Sequence, residues 1–403
     1  MRVYLLIMLF AAVITYLLVP LILHIALSVG AITQVRQRDV HKVPIARLGG
    51  TAMYLGLLIT FVLASQIPFL QDVYSPNSAA WGIVLGSGFM CLVGTVDDIW
   101  ELNWYTKLAG EVLAAGIMAW FGVQLISLPF LGITIGSERF TLIGTILVVV
   151  VVVNAVNFID GLDGLAAGVI GIAACAFFCY AYYLVRISSP GDYASVATAV
   201  VAALVGVCAG FLPHNFHPAR IFMGDSGALM LGAVISGAAI LITGQIDPAN
   251  VNMRVAMPAF MPLLIPAVIL LIPLIDFSWA VVRRLRQGRS PFMADSGHLH
   301  HRLLRRGHSQ VTAVLVLYLW AGVASFSGVI YTIFPYSWVL ALIGVAILGS
   351  IYLTVQKFSA KHNPAIAADS TSASDSKLTA TSVPTADSAS GVVPQREIAT
   401  DVS

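Results

Sequence analysis

The sequence predicts an all-α polytopic membrane protein, and three observations lead there. Of its 403 residues, 59% are hydrophobic and only 10% charged, too few charges to cover a soluble surface. The apolar residues gather into runs near the ~20 residues that a bilayer-spanning helix needs. Lys and Arg alternate in density between successive connections: 17 of the 21 fall on one side, which the positive-inside rule assigns to the cytoplasm.

Taken in order, the runs place eleven helices at approximately 3–23, 48–66, 80–96, 107–122, 141–156, 164–184, 194–212, 226–243, 259–281, 311–331 and 336–356. The first, MRVYLLIMLFAAVITYLLVPLIL, is too long for the apolar core of a signal peptide and has no small-x-small cleavage site after it, so it reads as a membrane helix. Several runs are Gly-rich, as membrane helices that pack closely are. Residues 123–140 have a Pro, glycines and an alternating pattern that suggest a short extracytoplasmic hairpin or loop. The N-terminus then faces outward and the C-terminus the cytoplasm. Residues 1–360 form the membrane domain. Residues 361–403 are rich in Ser, Thr and Ala and lack the apolar side chains that would offset the entropy of ordering. Cys91, Cys175, Cys179 and Cys208 all lie inside apolar runs, with neither a disulfide frame nor zinc-site spacing.

The polar residues cluster on the expected cytoplasmic side. The connections read RQRDVHKVPIARLGG (Arg36–Gly50), VDDIWELNWYTK (with Asp97, Asp98 and Lys107), NAVNFIDGLDGLAAG (with Asn157, Asp160 and Asp163), PHNFHPARIFMGDSG (with His214, His217, Arg220 and Asp225), and RRLRQGRSPFMADSGHLHHRLLRRGHS (Arg283–Ser309). Acids at helix ends in a membrane protein mark function. Adjacent carboxylates repel one another and favour a cation between them. Several such groups converging suggest Mg²⁺, which takes one or two carboxylates and completes its shell with water and substrate phosphate; Mn²⁺ could take its place.

Each cluster also has a plainer reading. Asp97 and Asp98 could be two solvated acids. Asp225 could cap the helix after it, while its flanking glycines suit a tight turn beside a ligand. Asn157, Asp160 and Asp163, at spacing i, i+3 and i+6, share one side if the loop is a helical turn. His298, His300 and His301 stand beside Arg302, a mixture suited to phosphate or to anionic lipid. Asp276 either pairs with an arginine or joins the site. Carboxylates for Mg²⁺ beside phosphate-binding cations at a membrane surface are the equipment of phosphoryl transfer.

These motifs, in this order, resemble the polyprenyl-phosphate N-acetylhexosamine-1-phosphate transferase superfamily. VGTVDDIWELNWYTK is similar to its Asp-Asp loop, NAVNFIDGLDGLAAG to its Asn-x-x-Asp-Gly-x-Asp-Gly loop and IFMGDSG to its Met-Gly-Asp element. HKVPIARLGG is similar to its first cytoplasmic loop, with Ala46 where Pro or Thr is more usual. The last loop resembles the WecA/TagO branch, which transfers GlcNAc-1-phosphate, more than the muramoyl-pentapeptide-phosphate transferases of peptidoglycan synthesis. The resemblance implies a bacterial plasma-membrane enzyme that joins a UDP-N-acetylhexosamine to undecaprenyl phosphate and releases UMP, with no nucleic-acid partner. It also implies that Asn157 and Asp225 hold Mg²⁺ and that Asp97 is the candidate base toward the lipid phosphate, with Asp98 alongside positioning the metal or substrate. Asp160 and Asp163 would line the nucleotide-sugar site, His298, His300 and His301 would contact its phosphates or sugar, and Lys107 and Arg302 would be charge partners.

Two rivals remain for comparison. A CDP-alcohol phosphatidyltransferase needs Asp-Gly-x-x-Ala-Arg and two further acids on the next helix, which DGLAAGVIGIAACAFF lacks. An ion-coupled transporter places its charges near the bilayer midplane, often within internal repeats, whereas here they sit at one face.

Overall fold

A computed structural model describes residues 1–32, 44–70, 79–125, 138–187, 193–243, 286, 308–334 and 336–356. The described residues form ten α-helices: α1 (Arg2–Val29), α2 (Gly49–Ala64), α3 (Ala79–Trp100), α4 (Trp104–Trp120), α5 (Glu138–Ile159), α6 (Leu165–Ile187), α7 (Tyr193–Asn215), α8 (Gly224–Thr243), α9 (Gln310–Ile333) and α10 (Ser337–Val355). Each overlaps one of the expected spans. The expected helix at 259–281, the tail from 361 and most of 123–140 lie outside the described residues. No strand longer than an isolated bridge occurs among those described.

Eight of the helices are long and apolar enough to cross a membrane. The other two, α2 and α4, have 16 and 17 residues. At 1.5 Å per residue they reach about 24–26 Å, short of the ~30 Å hydrocarbon core. The cause is local. A left-handed Leu48 (φ 88°) turns the chain into α2, and four residues after Asp97 the left-handed Glu101 (φ 50°) ends α3 in a sharp elbow before α4.

Helix α8 is the axis of the bundle. Nearly all of it is buried, and α2, α3, α5 and α7 pack around it. Small residues allow this approach. A Cβ on Gly232 would lie 2.6 Å from the Val153 Cα of α5, and Cβ atoms on Gly206 and Gly210 of α7 would lie 2.2 Å from the Met8 and Ala12 carbonyls of α1. At the other extreme, α10 leaves Val345, Leu348 and Tyr352 exposed, a face suited to lipid.

Candidate active site

One end of the bundle carries almost every polar side chain of note. It is built by the last turns of α3, α5 and α7, the first turns of α2, α4 and α8, and the connections between them.

The start of α8 is the foundation. Asp225, which could have capped this helix, does not. Asp98, brought in from α3, accepts hydrogen bonds from the backbone N–H groups of Asp225 (3.0 Å) and Ser226 (3.1 Å). A carboxylate on the first free N–H groups of a helix satisfies orphan donors and complements the helix dipole. Asp98 is buried at 8% exposure, so it is not a solvated acid. Gly224 is required twice over: its φ is +70°, and a Cβ would lie 2.4 Å from Asp98 Oδ2.

The chain around Gly50 docks on the same turn through its backbone. Phe222 N–H donates to the Ala46 carbonyl (2.8 Å), while Gly49 and Gly50 N–H donate to the Phe222 and Met223 carbonyls (2.9 Å each). A Cβ on Gly50 would lie 1.9 Å from Gly227 N, and one on Gly94 of α3 would lie 2.4 Å from Ser226 N. Three helix ends thus meet backbone to backbone. Ala46 is buried here.

With its own cap supplied from α3, the Asp225 side chain is free to turn elsewhere. It pairs with Lys107 of α4, which also donates to Asp97 Oδ2 at 3.1 Å. Asp97 Oδ1 accepts from Leu102 N–H at 2.7 Å, which closes the α3–α4 elbow. The adjacent aspartates therefore diverge, as consecutive positions on a helix must. Asp98 faces α8 and Asp97 faces Lys107.

The helix α5 ends at Ile159, so Asn157, Asp160 and Asp163 do not share a helical face as that spacing suggested. The chain turns at 160–164 before α6, and the three side chains separate. Asn157 stands beside the Asp225 carboxylate, with its Nδ2 buried. Asp160 is half-buried; burial first, then the nearby Asp225 and Asp98 carboxylates, push its pKa up to about 7, while Arg47 pulls it down. Asp163, at 2% exposure, reaches the other way. Its Oδ2 meets His217 Nδ1 at 2.8 Å and accepts from Ala219 N–H at 3.2 Å.

That contact is one of several tying the 160–164 turn to the loop before α8. Asn215 accepts from Gly164 N–H (3.0 Å) and donates to the Ile221 carbonyl (2.9 Å), and the Tyr318 hydroxyl donates to the Gly164 carbonyl. His214 is buried against the Tyr16 ring, and Arg220 is exposed. Asp276, His298, His300, His301 and Arg302 lie outside the described residues.

Two residues of this region escaped the sequence reading. Glu111, at 1% exposure, accepts a 2.5 Å hydrogen bond from Asn154 Nδ2. The signal was present: Glu111 is an acid inside a predicted span, a position that calls for a partner.

A resident cation can be tested against these side chains. Among the described residues no three His, Cys, Asp or Glu are grouped to enclose a metal. The donors that do converge are Asp225 and the buried Asn157 amide, a sparse oxygen set of the kind Mg²⁺ uses when phosphate and water fill the rest. Asp97 and Asp225 share Lys107, and Asp160 lies near Arg47 and the Asp98 and Asp225 carboxylates, so among these groups the acids outnumber the cations. The residues fit Mg²⁺.

Comparison with known proteins shows the family. Residues 80–243, which carry Asp97, Asp98, Lys107, Glu111, Asn157, Asp160, Asp163 and Asp225, match glycosyl transferase family 4. The chain is 38% identical over 350 residues, 86% of each protein, to the decaprenyl-phosphate N-acetylglucosaminephosphotransferase of Mycolicibacterium smegmatis. It is 32% identical, over 78% of this chain and 81% of the other, to a probable undecaprenyl-phosphate N-acetylglucosaminyl 1-phosphate transferase of Bacillus subtilis. Against the undecaprenyl-phosphate alpha-N-acetylglucosaminyl 1-phosphate transferase of Escherichia coli K12 the identity is 26%, over 79% and 82%.

Proposed function

The chain belongs to glycosyl transferase family 4, and from that premise we propose that it transfers GlcNAc-1-phosphate from UDP-GlcNAc to a polyprenyl phosphate, undecaprenyl or decaprenyl. The products are the lipid-linked sugar pyrophosphate and UMP, and the reaction begins a cell-envelope polysaccharide. The observation that carries the reading is the convergence of Asp97, Lys107, Asn157 and Asp225 at one end of an apolar bundle. There a soluble nucleotide and a membrane lipid can both reach them. The exposed Trp100, Trp104 and Tyr105 at the α3–α4 elbow suit the headgroup layer, where amphipathic rings concentrate. The Lys and Arg distribution favours a cytoplasmic setting for this end, in a bacterial membrane protein read as having eleven spans and an outward N-terminus.

In the transfer, an oxygen of the lipid phosphate attacks the phosphorus that bears the sugar. The bond from that phosphorus to the bridging oxygen breaks, and UMP leaves with the electron pair. A lipid phosphate is already ionised near neutral pH, so Asp97 has no proton it must remove. Its work is to hold Lys107, whose ammonium neutralises charge gathering on the transferred group. Asp225 and Asn157 would hold Mg²⁺, which when bound would supply further charge stabilisation on the pyrophosphate. Asp98 keeps Asp225 in place by fixing the turn it stands on. Asp160 and the 160–164 turn border the nucleotide-sugar side.

Detergent-purified protein with UDP-GlcNAc and undecaprenyl phosphate should release UMP, stop in EDTA and recover with Mg²⁺ or Mn²⁺. A panel of UDP-sugars and of C50 and C55 acceptors then sets the preferences. Absence of UMP release with every donor, or release undiminished by EDTA, would overturn the transferase or the metal reading respectively.

A further inference from the structure

Glu111 has no part in the chemistry above, yet it is a carboxylate buried at 1% exposure in an apolar bundle. Such a group is costly unless it is hydrogen-bonded. Its bond comes from Asn154 of α5, whose Nδ2 also donates to the Val150 carbonyl at 3.0 Å. Lys107 stands one turn before Glu111 on α4, and Asn157 stands one turn after Asn154 on α5. Residues spaced by three or four positions share a helix face. The seam between α4 and α5 therefore carries two levels. Lys107, Asp225 and Asn157 form the level at the site, and Glu111 with Asn154 forms the level beneath it.

The last turns of α5 are gripped from two sides. On the α8 side, Val153 packs against Gly232, where even a Cβ would lie 2.6 Å away. On the α4 side the polar grip described is the Glu111–Asn154 hydrogen bond. Between them these contacts set the rotation of α5 about its own axis, and with it the direction in which Asn157 presents its amide to Asp225. We propose that Glu111 is a positioning residue for the transfer: by holding Asn154 it sets the helix turn that aims Asn157 at the cation site. The inference rests on the Mg²⁺ reading above. Groups that orient a metal's own ligands characteristically change its affinity by about 10- to 100-fold.

A hydrogen bond, rather than a charge, is the agent, so the glutamine variant separates the possibilities. Mn²⁺ binding to the purified protein in detergent, followed by the EPR signal of free Mn²⁺, reads the site without catalysis. Thermal midpoints are measured alongside. Glu111→Gln keeps an acceptor for Asn154 and should bind Mn²⁺ within about twofold of the wild type. Glu111→Leu should weaken binding by about tenfold, the lower end of that range, and lower the midpoint. The double variant E111L/N154L replaces both partners with apolar groups, a change that can be nearly neutral for stability. It should regain the midpoint and not the affinity.

A role confined to tying α4 to α5 predicts the opposite, with affinity returning together with stability, and that result would overturn the proposal. So would a tenfold loss in Glu111→Gln, or full affinity in the double variant. If the wild type binds no Mn²⁺ and its activity ignores EDTA, the metal reading itself has failed, an outcome distinct from all of these.

Discussion

Asp98 gives the sharpest test of how this site is built. The carboxylate accepts two backbone hydrogen bonds at 3.0 and 3.1 Å from the first turn of α8. Hydrogen bonds to a charged partner contribute about 1.5–3 kcal/mol each, an upper limit of roughly 3–6 kcal/mol for the pair. Removing Asp98 also removes the cost of burying its charge, and loss of an ordinary helix cap costs about 0.5–2 kcal/mol. The net destabilisation of Asp98→Ala should therefore be about 2–3 kcal/mol. Asp98→Asn keeps one acceptor but turns an amide NH₂ toward the second N–H, so it should lose about 1–2 kcal/mol. Equilibrium unfolding in mixed detergent–SDS micelles reads both values, with UMP release measured on the same preparations. Both variants should also transfer poorly, because Asp225 stands on the turn that Asp98 holds. If either variant unfolds like the wild type while transfer is abolished, Asp98 acts on substrate and the capping account is wrong.

Other expectations follow from the same contacts. Asp97→Asn lies on the half-buried elbow and should cost under about 1 kcal/mol in the same unfolding assay, within the usual range for a surface pair, while UMP release drops sharply. Lys107→Met should reduce UMP release by about 10²- to 10³-fold, the scale of losing one charge-stabilising donor, with helical circular dichroism unchanged. Gly50→Ala would push a Cβ to 1.9 Å from Gly227 N and should prevent accumulation of folded protein, whereas Gly116→Ala meets nothing within 4 Å and should purify normally by size-exclusion chromatography. Asp163→Asn and His217→Ala should be non-additive in a double-mutant cycle on thermal stability, with a coupling of about 0.5 kcal/mol or more. Full additivity would mean that the 2.8 Å contact does not tie the two loops.

Much of this was legible in the sequence because membrane helices announce themselves by length and hydropathy. Each of the ten described helices overlaps an expected span, and at the α3–α4 elbow, where α3 runs past its expected end, the left-handed Glu101 marks the stop. The acids that the structure gathers at one end, Asp97, Asp98, Asp160, Asp163 and Asp225, were each conspicuous in an apolar chain, while Glu111 was passed over. Their division of labour was not legible. Spacing suggested one face for Asn157, Asp160 and Asp163, and the end of α5 at Ile159 sent them apart. A helix following Asp225 suggested that Asp225 caps it, and a residue 127 positions away does so instead.

By itself, then, the sequence determined that this chain is an apolar helical bundle with its acids gathered at helix ends, because hydropathy and charge placement are properties of short stretches. Tertiary structure alone decided which carboxylate caps α8 and which turns to Lys107. That choice depends on which helix ends meet, and the meeting is set by the glycines at 50, 94 and 227, where backbones come closer than any side chain would permit. With Asp98 supplying the cap, Asp225 is released to Lys107 and Asn157.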